Sequence, residues 1–302
     1  MAVLSRLSVP QQGAVWPFHV LALVISIVWS TTFVATKVLL QSGMTPETIF
    51  LTRFTIAYIL IWLISRGPLF ADNWRDEALL ALAGITGGSL YFLTENTALK
   101  YTYATNVSIL ISAAPLMTIA LSSAVFHKRM PRMMLAGSGL ALIGVVFVVL
   151  NGSTDVHVSP LGDLLTLAAA ACWAVYSVVL KMVGNGKYST FFVTRKVFFY
   201  GLVFMLLYMP FSGVSYDFSL LAQPQVWGNL LFLGIVASLV CFVAWNKAMD
   251  VIGPDKANNY IYLTPVGTIT TAVIVLHEPL SWMAILGAVI TVSGVILAEK
   301  SR

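Results

Sequence analysis

The sequence predicts an all-α membrane protein of ten transmembrane helices, arranged as two inverted five-helix repeats with both N- and C-termini cytoplasmic. Three observations carry this prediction. Of 302 residues, 59% are hydrophobic and only 10% are charged, with a mean hydropathy of +0.89; soluble domains carry about 25% charged residues. The apolar residues form continuous runs long enough to cross a bilayer, not the alternating pattern of a β-barrel. Rare residues of the first half recur in order in the second half.

The runs fall at about 18–41, 47–66, 78–99, 103–125, 132–150, 160–182, 190–210, 226–249, 256–276 and 282–298. Turn and cap residues bound them: Ser42-Gly43, Thr45-Pro46, Gly67-Pro68, Pro131, Asn151-Gly152, Gly184-Asn185-Gly186, Pro224, Gly253-Pro254 and Pro279. Only Lys100-Tyr101 separates the third run from the fourth. The first run is too long for the core of a cleaved signal and reads as a retained helix. Cys172 and Cys241 lie inside apolar runs and read as inert small side chains.

Lys and Arg in the connecting segments set the expected orientation. With the N-terminus inside, the cytoplasmic side holds Arg6, Arg66, Arg75, Lys128, Arg129, Arg132, Lys181, Lys187, Arg195, Lys196, Lys247, Lys256, Lys300 and Arg302. The outer side holds only Lys37, Arg53 and Lys100. This bias accounts for the net charge of +5. The basic residues are scattered, so nucleic acid is not an expected partner; the lipid bilayer is.

Trp29 and Lys37 match Trp173 and Lys181, and Thr52-Arg53 matches Thr194-Arg195. A register of 150 then pairs Gly84 with Gly234, Asn96 with Asn246, Pro115 with Pro265, His127 with His277, Gly137 with Gly287 and Gly144 with Gly294. The chain therefore divides into repeats at 18–150 and 160–298. Five spans is an odd number, so the second repeat enters the membrane from the opposite side. An inverted repeat has inward-open and outward-open states of comparable energy, with a solute site near midplane.

Candidate lining residues follow from helical spacing. Trp29 and Phe33 share a face of the first span. Trp173 and Ser177 share the matching face of the sixth, with Tyr176 beside them. Trp29 and Trp173 sit near midplane, whereas Trp16, Trp62, Trp74, Trp227 and Trp282 sit near span ends, where indole rings are common. In the third span Tyr91 and Glu95 continue a stripe of small residues, followed by Asn96. Glu95 is an ionisable group within a span, at home in a cavity or near the outer interface. Asn259 and Tyr260 begin the ninth span. Pro115 and Pro265 sit mid-span and are expected to kink their helices beside a cavity. Lys37, Arg53, Lys181 and Arg195 fall nearer span ends than midplane, which argues against phosphorylated metabolites as solutes. Gly137, Ala141 and Gly144, with Gly287, Thr291 and Gly294, read as helix-pairing surfaces, within the scaffold or between copies.

No P-loop, HExxH, Cys/His cluster or dinucleotide fingerprint occurs, so no cofactor and no metal are expected. No nucleophile–base constellation is visible, which disfavours a membrane-embedded enzyme. The spans lack the charge rings or filter loop of a channel.

Two inverted five-helix halves, the early Trp with Lys eight residues later, and the segment from Leu263-Thr264-Pro265 to Leu276-His277-Glu278-Pro279-Leu280 resemble the drug/metabolite transporter superfamily, EamA type. The first half departs from the pattern, with Lys128 where Glu is typical. Within the superfamily the chain most resembles the YddG-type aromatic amino acid exporters. That resemblance implies a multi-pass transporter of the bacterial inner membrane, not an enzyme. It would export neutral, chiefly aromatic, amino acids together with planar dications such as viologens. Trp29, Tyr91, Trp173 and Tyr176 would then wall the solute, and Glu95, Asn96 and Asn259 would anchor its charged ends. The alternative substrate class is organic cations or drugs, for which Glu95 would be indispensable. Oligomeric state is left open by the sequence.

Overall fold

The computed structural model describes residues 15–127, 131–149, 159–214, 216–277 and 282–299. Arg6, Lys128, Arg129, Lys300 and Arg302 of the charge bias, Asn151-Gly152, Glu278 and Pro279 lie outside them. All regular elements among the described residues are helical. Eight helices are long and apolar enough to cross a membrane: α1 Trp16–Gln41, α2 Pro46–Ile64, α3 Trp74–Tyr101, α4 Ala104–Phe126, α6 Pro160–Val183, α7 Thr190–Ser212, α8 Pro224–Ile252 and α9 Pro254–Leu276. Two further 18-residue helices, α5 Arg132–Val149 and α10 Trp282–Glu299, bring the long helices among the described residues to ten.

The helix starts are written in short polar side chains. Thr45 forms a capping box with Thr48 ahead of Pro46 at the start of α2. Asn73, Ser159 and Ser189 cap α3, α6 and α7, each accepting from a backbone N–H one turn in. His127 and His277, paired by the repeat, end α4 and α9 in the left-handed conformation, a matched stop at the end of each half's fourth helix.

The packing is reciprocal between halves. Helix α2 packs on α8 and α7 on α3; α1 packs on α9 and α6 on α4; α3 packs on α6 and α8 on α1. Each pair is the other with the halves exchanged, the mark of a two-fold relation. Helices α5 and α10 pair with one another. A Cβ at Gly137, Gly144 or Gly294 would run into the partner's backbone, so these glycines permit a close helix crossing within the chain. This decides between the two uses left open for that stripe.

The midspan prolines do more than kink. Pro115 opens a fresh helix after a turn at Ser112-Ala113 that breaks α4. Pro265 opens the α-helical part of α9 after a 3₁₀ stretch, Asn258–Leu263. A proline lacks the N–H for the interior ladder but suits a first turn. Two π-helical segments also occur at matching places, Gly84–Leu90 in α3 and Phe232–Val240 in α8.

Trp16, Trp62, Trp74, Trp227 and Trp282 are all exposed on the protein surface, as membrane-interface residues should be. Cys172 is half-buried and Cys241 buried; neither is in a disulfide.

Candidate functional site

The repeat-related tryptophans meet where the halves meet. The Trp29 and Trp173 rings lie edge to face with centroids 5.4 Å apart. Trp29 also packs on Trp245 at 4.9 Å and Phe242 at 5.6 Å, and Trp173 on Tyr91 at 5.1 Å. Each indole N–H finds a different kind of partner. Trp29 donates to the Ala237 carbonyl, inside the π segment of α8, at 3.0 Å. Trp173 donates to Asn258 Oδ1 at 3.1 Å, and Asn258 in turn donates to Ser177 and Thr118. Both rings are therefore held in fixed orientations.

Beside this cluster lies a cavity lined by Trp29, Thr32 and Phe33 of α1, Arg53 of α2, Tyr91, Phe92 and Glu95 of α3, Ile111 and Ala114 of α4, Trp173 of α6, Phe242 of α8, and Ile261 and Thr264 of α9. The space between the side chains is about 40 Å³, room for a few water molecules. Ligand pockets start near ~300 Å³, so helices must part before this cavity can hold an amino acid.

Arg53 corrects an expectation. Sequence distance places it near a span end, yet its side chain is only 2% exposed and lines the cavity. Its Nε donates to Ser238 Oγ at 3.0 Å, and its guanidinium lies over the Phe92 ring at 4.5 Å. Glu95, 3% exposed, lines the same cavity, and its Oε2 has no hydrogen-bond partner among the described residues. No ion pair within 4 Å joins the two. Of the two environments open to Glu95, the structure chooses the cavity over the interface.

Five expected lining residues thus reach the cavity: Trp29, Phe33, Tyr91, Glu95 and Trp173. Five do not in this conformer. Asn96 is fully buried and donates to the Pro46 carbonyl. Tyr176 is fully buried behind Trp173, with its hydroxyl donating to Asn246. Ser177 lines a separate small cavity beside Lys181. Asn259 is fully buried away from the lining. Tyr260 shares a hydrogen bond with His19. For Asn259 and Tyr260 the reason is rotational: the 3₁₀ stretch in α9 turns its side chains by about 120° per residue, not the α-helical 100°, so Ile261 and Thr264 face inward instead. Sequence reasoning also missed Arg53, Phe92 and Phe242. Arg53 had a usable signal, a charge inside an apolar run.

Four other basic residues tie segments of the chain together. Lys37 donates to the Leu99 and Thr102 carbonyls. Arg195 donates to the carbonyls of Ser65, Gly67 and Pro68. Lys196 pairs with Glu77, which also accepts from Tyr200. Lys181 pairs with Asp255 at 2.7 Å. Among the described residues no cluster of metal-ligating side chains exists.

A duplicated helical bundle that meets across an aromatic cavity, with each half packed reciprocally on the other, defines a multi-pass membrane transporter. The EamA-like transporter family matches the chain twice, over residues 16–150 and 160–299. The chain belongs to that family, and it is a transporter rather than an enzyme. It is 30% identical to an uncharacterised transporter of Archaeoglobus fulgidus, over 94% of this chain and 98% of that one. It is 28% identical to a probable terminal-alkyne amino-acid exporter of Streptantibioticus cattleyicolor, over 95% and 93%. A probable amino-acid metabolite efflux pump of Salmonella typhimurium is 27% identical, over 91% and 92%. A solved crystal structure superposes with a TM-score of 0.72 at 19% identity, covering 95% of this chain and 99% of that one, a likeness of fold.

Proposed function

We propose that this chain exports neutral, chiefly aromatic, amino acids across the bacterial inner membrane by alternating access, with the halves at 18–150 and 160–298 moving against one another. The observation that carries the reading is the cavity at the meeting of the halves, where an aromatic wall of Trp29, Tyr91, Trp173 and Phe242 stands beside one buried guanidinium, Arg53, and one buried carboxyl group, Glu95. A ring needs the wall, and a zwitterion needs both charges. Relatives named as amino-acid or amino-acid metabolite exporters support the same class.

Organic-cation or drug export is the second reading, favoured by the aromatic cluster and Glu95 through cation–π and charge attraction. Arg53 weighs against it, because a buried guanidinium repels a cationic solute. Phosphorylated solutes regain one basic partner in Arg53, but the Glu95 carboxylate opposes a dianion. The test is flux by purified protein in liposomes. Tryptophan, phenylalanine or threonine should move; if all three stay while another metabolite crosses, the substrate assignment is wrong.

A further inference from the structure

The cavity breaks the symmetry that built it. Arg53 and Arg195 occupy matching places in the two repeats, but only Arg53 reaches the cavity. Both Nη groups of Arg195 are taken up by backbone carbonyls. Arg53 gives only its Nε to a partner, Ser238. Its two Nη groups, with four N–H donors in a planar fork, have no hydrogen-bond acceptor among the described residues. The repeat mate of Glu95 is Trp245, which packs on Trp29. The first half thus supplies both ionisable side chains of the cavity, while the second half contributes Trp173, Phe242, Ile261 and Thr264. Structural symmetry does not require this difference, and ionisable groups inside a membrane span mark functional sites by default.

We infer that Arg53 is the carboxylate-recognition residue of the solute site and Glu95 its ammonium-recognition residue, so that the transporter selects the α-amino-acid backbone itself. This deepens, and rests on, the amino-acid reading above. The geometry fits the chemistry. A guanidinium fork matches a carboxylate with two parallel hydrogen bonds. The Ser238 hydrogen bond and the Phe92 ring fix the plane of the guanidinium from two sides, which lowers the entropy lost when a solute is held. Glu95 Oε2 is buried, lines the same cavity and lacks a donor, as expected of an acceptor whose partner arrives with the solute. Because Arg53 and Glu95 do not pair with each other within 4 Å, neither must be released before a zwitterion can bridge them. The ring of the solute then lies against Trp29, Tyr91 and Trp173. A solute lacking either charge leaves a buried ion unpaired, which is the strongest available form of discrimination.

The experiment is tryptophan counterflow in proteoliposomes, with competition by tryptamine, which lacks the carboxylate, and indole-3-propionate, which lacks the ammonium. In the wild type both should compete at least about tenfold more weakly than tryptophan. Arg53→Gln should weaken tryptophan by about tenfold or more and lose the preference for tryptophan over tryptamine; Arg53→Lys, which keeps the charge without the fork, should recover part of it. Glu95→Gln should lose the preference over indole-3-propionate. Equal competition by tryptamine and tryptophan in the wild type overturns the assignment, and that readout needs no variant to fold. So does an Arg53→Gln protein that still prefers tryptophan. If the wild type carries tryptophan but the variants discriminate as it does, only this assignment falls. If the wild type carries no amino acid, the amino-acid reading falls and takes this one with it.

Discussion

Asn246 shows how much one side chain can hold. Its Oδ1 accepts from the Tyr176 hydroxyl of α6, and its Nδ2 donates to Thr194 of α7 at 2.9 Å. Tyr176 is fully buried, so it has no exposed alternative. Asn246→Ala should leave that hydroxyl unsatisfied and cost about 1–3 kcal/mol, read as a lowered melting temperature of the purified protein in detergent; an unchanged midpoint would mean that Tyr176 finds another acceptor. Its repeat mate Asn96 makes a long bond of 3.4 Å to the Pro46 carbonyl, so Asn96→Ala should cost less in the same assay. Gly87 adds a steric case. A Cβ there would strike the Tyr176 ring and its Cβ, and Tyr176 is pinned at its far end by Asn246. Gly87→Ala should therefore destabilise by about 1–3 kcal/mol through overpacking.

At the scale of elements, the paired π segments set which residues face inward. A π turn carries one residue more than an α turn requires and so rotates everything beyond it. Beyond Gly84–Leu90 in α3 come Tyr91, Phe92 and Glu95, all of which line the cavity. Deleting one residue from that segment should restore an α-helix and turn Glu95 by about 100° away from the cavity. Membrane expression should persist while tryptophan flux is lost; retained flux would show that the π turn does not set the facing of α3. The α5–α10 pair is a second element-scale case. Gly294→Leu should force the two backbones apart at Ala141 and Gly137. Its effect should be lowered thermal stability, because neither helix lines the cavity.

For the whole molecule, the two ends are closed differently. At one, Lys181 joins α6 to α9 through Asp255 and to α4 through Ser122 at 3.0 Å. At the other, Lys37 holds carbonyls at the α3–α4 turn, and Thr105 stands where Asp255 stands in the second half. An inverted repeat alone would make the two open states nearly equal in energy; the Lys181–Asp255 ion pair favours closure of the end that carries it. The pair is partly exposed, with side chains 20% and 30% accessible, so its contribution is at most about 1 kcal/mol, a shift of about fivefold. Asp255→Asn should raise thiol labelling at Ser177→Cys, which lines the small cavity beside Lys181, by about that factor in a background lacking Cys172 and Cys241. Unaltered labelling would place the bias elsewhere.

Composition and order alone determined the class, the ten helical runs and the duplication, because bilayer thickness fixes helix length and repeats preserve rare residues in register. Thus Trp29 and Trp173 could be chosen as central, Pro115 and Pro265 as kinks, and Trp16, Trp62, Trp74, Trp227 and Trp282 as surface residues. Facing was the harder quantity. It depends on rotation about the helix axis, and a π turn or a 3₁₀ stretch shifts that rotation without a signature in the residue pattern. That is why Ile261 and Thr264, not Asn259 and Tyr260, reach the cavity from α9. Arg53 failed for a related reason: distance along a helix gives depth but not direction. Only the packing of α2 on α8, with Ser238 receiving Nε, turns that charge inward. The tertiary structure also decided that α5 and α10 spend their glycines on each other, since a self-complementary surface looks the same whether its partner is in the chain or in another copy.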